Sequence, residues 1–273
     1  MNHRPYRREV MTQWRALELS VADKVAEIRL SRPELLKRFD MILHREMTDV
    51  LGQLAEDKSV LAVVLSSTGR YFSAGGDSEV MTEAADDIAH RLTMLDEGRR
   101  LFRAVADFPK PLVVALHGNS YGLGTSLILA ADAIVSTPTV ELSDPHVRMA
   151  LVAGDGGVVS WPSAMGMVRA KRHLLTGDPM TAAEAHRLGV VTDLVDAAAD
   201  VLPTAQALAK RIAQLPPLAV QLTKRALNKV LMTRTEEVLD LSFYLEGVTM
   251  GSEDMREAVA AFKEKRPGNW KGR

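Results

Sequence analysis

The chain has 273 residues, with 34 Lys and Arg against 35 Asp and Glu and no cysteine. Folding at this length removes roughly three quarters of the unfolded chain's surface from water, enough for one large core. A net charge of -1 supplies no global field for nucleic acid or an anionic membrane, and the lack of cysteine excludes disulfides, thiolate nucleophiles and cysteine metal sites.

Met1 to Arg15 is polar, with Arg4, Arg7 and Arg8 interrupted as a transit sequence by Glu9 and Glu18. It lacks the apolar core of a secretory signal, and no later run is apolar enough to span a bilayer. The expectation is a flexible tail over residues 1–16 of a soluble, cytoplasmic protein. Ala26, Ile28 and Leu30 then alternate with Glu27 and Arg29 as in a half-buried strand, and Ser31-Arg32-Pro33 ends it.

Asp40 opens a helix in which Leu43, Met47, Val50, Leu51 and Leu54 recur, and the apolar run Val60 to Leu65 follows. A second cycle comprises a long helix from about Ile88 to Ala106, a break at Pro109-Lys110-Pro111 and the run Leu112 to Leu116. Parallel strands with helical crossovers fit this order. Thr181 and Glu184 form a capping box, Gly189 closes that helix, and Val190-Val191 begins a short strand. Strand signals vanish from Pro203 onward. The reading is an α/β core over 17–205 and a helical region over 206–273 with breaks at Pro216-Pro217 and Gly247 to Ser252.

Two loops carry the chemistry. Gly69-Arg70-Tyr71-Phe72-Ser73-Ala74-Gly75-Gly76-Asp77 follows one buried strand, and its small residues let backbone N–H groups approach a ligand; alone, it is also an ordinary turn. His117-Gly118-Asn119-Ser120-Tyr121-Gly122-Leu123-Gly124-Thr125 follows the next strand and opens an apolar helix, whose free N–H groups suit a developing oxyanion or only let the helix pack.

Together these loops resemble those of the crotonase, or enoyl-CoA hydratase/isomerase, family. The resemblance runs from about Leu17 to Arg266. Arg32-Pro33 with Leu35-Leu36, Ala130-Ala131-Asp132, Asp144-Pro145, Gly156-Gly157, Leu188-Gly189-Val190-Val191, Ala261-Phe262 and Lys265-Arg266 keep the same order. It implies an α/β fold of repeated ββα units with a C-terminal helical region, assembled as a homotrimer or hexamer. It also implies an acyl-CoA substrate, with no cofactor beyond that coenzyme A and no metal. By the same resemblance the N–H groups of Ala74 and Leu123 form an oxyanion hole. Leu35, Gly75, Gly76, Asp77, Phe262 and Lys265 contact the substrate or its CoA, and Lys37 and Arg38 are weaker candidates for phosphate.

The pattern departs from the family's hydratases at both catalytic glutamates, whose positions read Ser126 and His146 here. A serine does not act as a carboxylate acid or base near neutral pH. His146 becomes the expected base, with Asp144 a second carboxylate on its face if the segment is a strand. Asp155 is either a helix N-cap or the group that orients His146 and raises its pKa. A His and Asp so spaced also resemble the pair of crotonase-fold β-diketone hydrolases, which gives an alternative retro-Claisen reading. A non-catalytic acyl-CoA-binding or scaffold protein is another. Met94, Leu95 and Trp161 are expected pocket walls.

Overall fold

The computed structural model describes residues 14–273, apart from the side chains of Ser78 and Glu79. Arg4, Arg7, Arg8 and most of the expected tail lie outside these residues. Its last members are tied down, because the Arg15 and Ala16 N–H groups each donate to the Glu46 carboxylate at 2.8 Å.

The chain opens with a hairpin, β1 (Leu17–Ala22) and β2 (Val25–Leu30), whose two turn residues Asp23 and Lys24 are both left-handed. Such a turn matches the twist of the strands it joins. Then come α1 (Met41–Glu56), β3 (Ala62–Ser67), α2 (Ser78–Asp86), α3 (Ile88–Ala106) and β4 (Leu112–Leu116). The central stretch holds β5 (Ser120–Tyr121), α4 (Leu123–Ile128), β6 (Ala133–Ser136), β7 (Glu141–Ser143), a 3-10 turn at His146–Met149, α5 (Gly157–Met165) and α6 (Met167–Thr176). The remainder is β8 (Met180–Thr181), α7 (Ala182–Arg187), β9 (Asp193–Leu194), α8 (Ala198–Ala213), α9 (Pro217–Met250) and α10 (Glu253–Glu264).

The main sheet has the order β1-β2-β3-β4-β6-β9 and is parallel from β2 onward. Its strands read as continuous apolar runs because both faces are covered. Val63 and Leu65 of β3, with Val114 and Leu116 of β4, face the larger core beside Leu43, Met47 and Leu101 of α1 and α3. Their neighbours Ala62, Val64, Val113 and Ala115 face α8 through Val201, Ala205, Ala209 and Ala213. The boundary read near residue 205 therefore lies inside α8, a helix whose small residues recur every fourth position and sit on the sheet.

A second sheet, β5-β7-β8, takes its first strand from the second loop, and the first loop is hydrogen-bonded to that strand. Phe72 N–H donates to Asn119 O at 2.9 Å, Tyr121 N–H to Ser73 O at 3.1 Å, and Ser73 and Ser120 form an isolated bridge. Gly118 is required where they cross, since a Cβ there would lie 2.4 Å from the Arg70 carbonyl oxygen. Among the described residues, no helix is long and apolar enough to cross a membrane.

Candidate active site

Ala74, Gly75, Gly122, Pro145 and His146 line one cavity of about 620 Å³ that also reaches Phe262 on α10. A narrower recess continues past Leu123, Asp155 and Glu246, with His44, Met94 and Leu95 on its walls. Trp161, expected in the pocket, is instead wholly buried in the core. Gly75 and Gly122 have φ of 85° and 52°, so the close approach of the two loops uses conformations that a side chain would strain.

The two expected oxyanion donors stand differently. Leu123 is the first residue of α4, and its N–H has no backbone acceptor among the described residues. The Ala74 N–H donates to the Leu36 carbonyl at 3.0 Å, so a ligand oxygen reaches it only by displacing that bond. Leu36 and Lys37, at φ of 52° and 50°, hold the carbonyl there.

His146 does not stand on a strand; Asp144 precedes it and the ring begins the 3-10 turn. Its Nδ1 is 2.5 Å from Asp144 Oδ1 and its Nε2 is 3.2 Å from Asp155 Oδ2. Ser126 Oγ donates to the other Asp155 oxygen at 3.1 Å. Glu246, from α9, places Oε1 4.0 Å from His146 Nε2, while its Oε2 has no partner among the described residues. All four of Asp144, His146, Asp155 and Glu246 are buried.

These positions set the charge. Burial alone disfavours an imidazolium, but Asp155 and then Asp144 outweigh it and hold the His146 pKa well above 6.5. The Glu246 carboxyl is pushed up to about 8, first by burial and then by Asp155, with His146 opposing. At neutral pH the site thus holds a charged ring between two aspartates and a protonated glutamic acid. Asp144, His146 and Asp155 bring ligand-type atoms within 4.8 Å of one another, a spacing seen in metal sites. The two carboxylates meet opposite ring nitrogens, however, so they clasp the imidazole instead of surrounding one centre.

The other expected contacts are distributed unevenly. Gly76 lines both the cavity and the recess, and Asp77 lines the recess, paired with Arg38 at 3.1 Å. Leu36, not Leu35, faces the cavity; Lys265 ends α10 in a left-handed conformation and Arg266 takes the lining position. Lys37 is buried and donates to the Thr68 carbonyl, which removes it from any phosphate.

Sequence reasoning missed Glu246 and the Ser126–Asp155 bond. Glu246 had a signal: Leu239, Phe243, Glu246 and Met250 fall on the buried stripe of α9, so a carboxylate occupies a core register. Its raised pKa has a stability consequence. Between pH 4.5 and about 8 the folded protein holds a proton at Glu246 that the unfolded chain has lost, so this group's contribution falls as pH rises. Glu246→Gln is expected to raise Tm at pH 8 by roughly 2–4 °C, with little change at pH 4.5, in paired melting curves.

A family model described as enoyl-CoA hydratase/isomerase matches residues 20–273. A short-chain-enoyl-CoA hydratase of Clostridium acetobutylicum is 30% identical over 244 residues, covering 89% of this chain and 92% of that protein. The crystal structure of an enoyl-CoA hydratase/isomerase from Mycobacterium paratuberculosis superposes with a TM-score of 0.86 at 33% identity, covering 90% of this chain and 97% of the other. A β-diketone hydrolase from Anabaena sp. PCC 7120 superposes with a TM-score of 0.81 at 25% identity, covering 89% and 97%.

Proposed function

The chain belongs to the enoyl-CoA hydratase/isomerase family of enzymes, and from that premise we propose that it moves a double bond in an acyl-CoA thioester through an enolate, with Asp155 and His146 carrying the proton. The observation that carries this reading is His146 Nε2, 3.2 Å from Asp155, on a ring that lines the same cavity as Ala74 and Gly122.

In this scheme the thioester oxygen accepts from Leu123 N–H, and from Ala74 N–H once Leu36 yields it. Each such donor is worth about 2.7–4 kcal/mol at the transition state. Asp155 takes a proton from the carbon α to the carbonyl, and the C–H electron pair becomes the enolate. The His146 imidazolium then gives its Nε2 proton to the γ carbon, and Asp155 returns its proton to the neutral ring. Two carboxylates beside the ring favour this acid role over that of the base expected from sequence. The cycle consumes no water and no oxidant, so the CoA of the substrate is the only coenzyme it needs. Hydration, by contrast, lacks both of the family's glutamates. Assembly of three or six copies in the cytoplasm belongs to the same proposal, and the exposed Leu218, Leu222, Leu227 and Val230 of α9 supply apolar surface for it.

The direct test is product identification by mass from a panel of 3-enoyl-CoA and 2-enoyl-CoA thioesters. Interconversion of the two supports the proposal; a 3-hydroxyacyl product replaces it with hydration, and binding without turnover replaces it with the scaffold reading. Cleavage of a cyclic β-diketone, in place of thioester conversion, selects the second reading, which the His146–Asp155 pair and the Anabaena neighbour favour. An imidazolium acid works below its pKa, so kcat is expected to hold as pH rises past 6.5 and to fall only well above it. A fall centred near 6.5 in the pH–rate profile would contradict the charged ring.

A further inference from the structure

The short helix α4 brings two groups to the site. Its first residue supplies the Leu123 N–H, and three positions on Ser126, wholly buried, donates its hydroxyl to Asp155 Oδ1 at 3.1 Å. One turn of helix thus separates the oxyanion donor from a contact to the base. The hydroxyl has a single proton to give. The Gly122 carbonyl, 3.4 Å from Oγ, already accepts the Thr125 and Ser126 N–H groups at 2.9 and 3.0 Å. The Asp155 oxygen is nearer and, when ionised, the stronger acceptor.

Asp155 is held at both ends by these contacts. Oδ1 takes the Ser126 hydroxyl, and Oδ2 faces His146 Nε2 at 3.2 Å. The terminal torsion of an aspartate is broad and two-fold, so a contact at Oδ2 alone leaves the carboxylate free to twist about it. A second contact from another element fixes the plane. Asp155 itself stands in the loop ahead of α5, and His146 begins the 3-10 turn after β7. The Ser126 bond ties this base directly to the helix that carries the oxyanion donor. The ring lies beside the same helix, since a Cβ on Gly122 would be 3.4 Å from His146 Cε1.

We propose that Ser126 is the positioning residue for the base: its hydroxyl fixes the Asp155 carboxylate against α4, so that the α proton and the thioester oxygen are met in one geometry. The inference rests on the acyl-CoA reading above. It gives the serine a role at the position where the resemblance to hydratases expects a glutamate, because Ser126 orients a carboxylate supplied by another element in place of being one.

The experiment measures kcat and KM for interconversion of 3-enoyl-CoA and 2-enoyl-CoA thioesters with native protein, Ser126→Ala and Ser126→Thr, each shown by melting curves to be folded at the assay temperature. At 3.1 Å the bond is longer than the about 2.5–2.7 Å usual between a hydroxyl and a carboxylate, which sets the expected effect at the low end for a hydrogen bond to a charged group. Ser126→Ala is expected to lower kcat by roughly 10-fold with KM near native. Ser126→Thr keeps the hydroxyl and is expected to recover most of that loss. An alanine variant with native kcat overturns the proposal and leaves the acyl-CoA reading standing. A loss carried by KM, or matched by a fall in the folded fraction, makes Ser126 a packing residue and overturns it as well, as does a folded threonine variant as slow as the alanine one. Native protein that converts neither thioester fails the acyl-CoA reading itself, before any variant is compared, and this inference falls with it.

Discussion

His146→Ala is expected to lower kcat on an enoyl-CoA thioester by roughly 10²–10⁴-fold, the range for loss of a positioned acid or base. KM should change far less, because in the proposed scheme the CoA part of the substrate is bound away from the ring. The loss follows from geometry: the ring is the group held between Asp144 at Nδ1 and Asp155 at Nε2, and the Glu246 oxygen nearest it stands 4.0 Å away. Removing the ring also leaves buried carboxylates facing one another, a change that costs roughly 3–5 kcal/mol of stability. Melting curves therefore accompany the kinetics, and Asp155→Asn, which keeps the shape of the site, supplies the second variant. Folded protein with undiminished kcat in both would remove the pair from the chemistry.

The second large effect concerns a backbone atom. Leu123→Pro deletes one N–H at the first position of α4, where proline's fixed φ is tolerated and no helical bond is lost. Gly122 before it has φ 52° and ψ -129°, outside the α region that a following proline disfavours. Loss of an oxyanion donor should lower kcat by roughly 10²–10³-fold. Leu123 is also buried beside Asp155 and Glu246, so Leu123→Ala serves as the control that keeps the N–H and loses the packing. Equal kcat for the alanine and proline variants would show that this N–H does not hold the reacting oxygen.

How far the site could be read from sequence follows from the range of the interactions. Both loops were legible because glycine is needed where φ is positive, at Gly75 and Gly122, and where backbones cross, at Gly118. His146 and Asp155 were legible by their order in the chain. That Asp144 takes Nδ1 while Asp155 takes Nε2 was not, because it depends on a 3-10 turn, whereas the shared face expected for Asp144 held only if the segment were a strand. Glu246 comes from a helix whose approach to the ring is set by packing, including Gly154, where a Cβ would lie 2.6 Å from that of Glu246. The bond between Ala74 N–H and Leu36 O joins a loop to a distant turn, and no local pattern signals it. The boundary at 205 failed to mark a structural break for a related reason: Ala205, Ala209 and Ala213 look like ordinary helix formers until the sheet beneath them is seen.

In the proposed reaction this site removes and returns a proton beside a thioester carbonyl. The measurement that meets it most directly is deuterium incorporation into 2-enoyl-CoA and 3-enoyl-CoA thioesters in D2O, followed by mass, for native protein and for Asp155→Asn. With native protein, deuterium is expected to accumulate at the α and γ carbons, and its incorporation is expected to slow by at least about 10²-fold in the variant. Native protein that binds these thioesters and leaves their carbon-bound hydrogens untouched would contradict it.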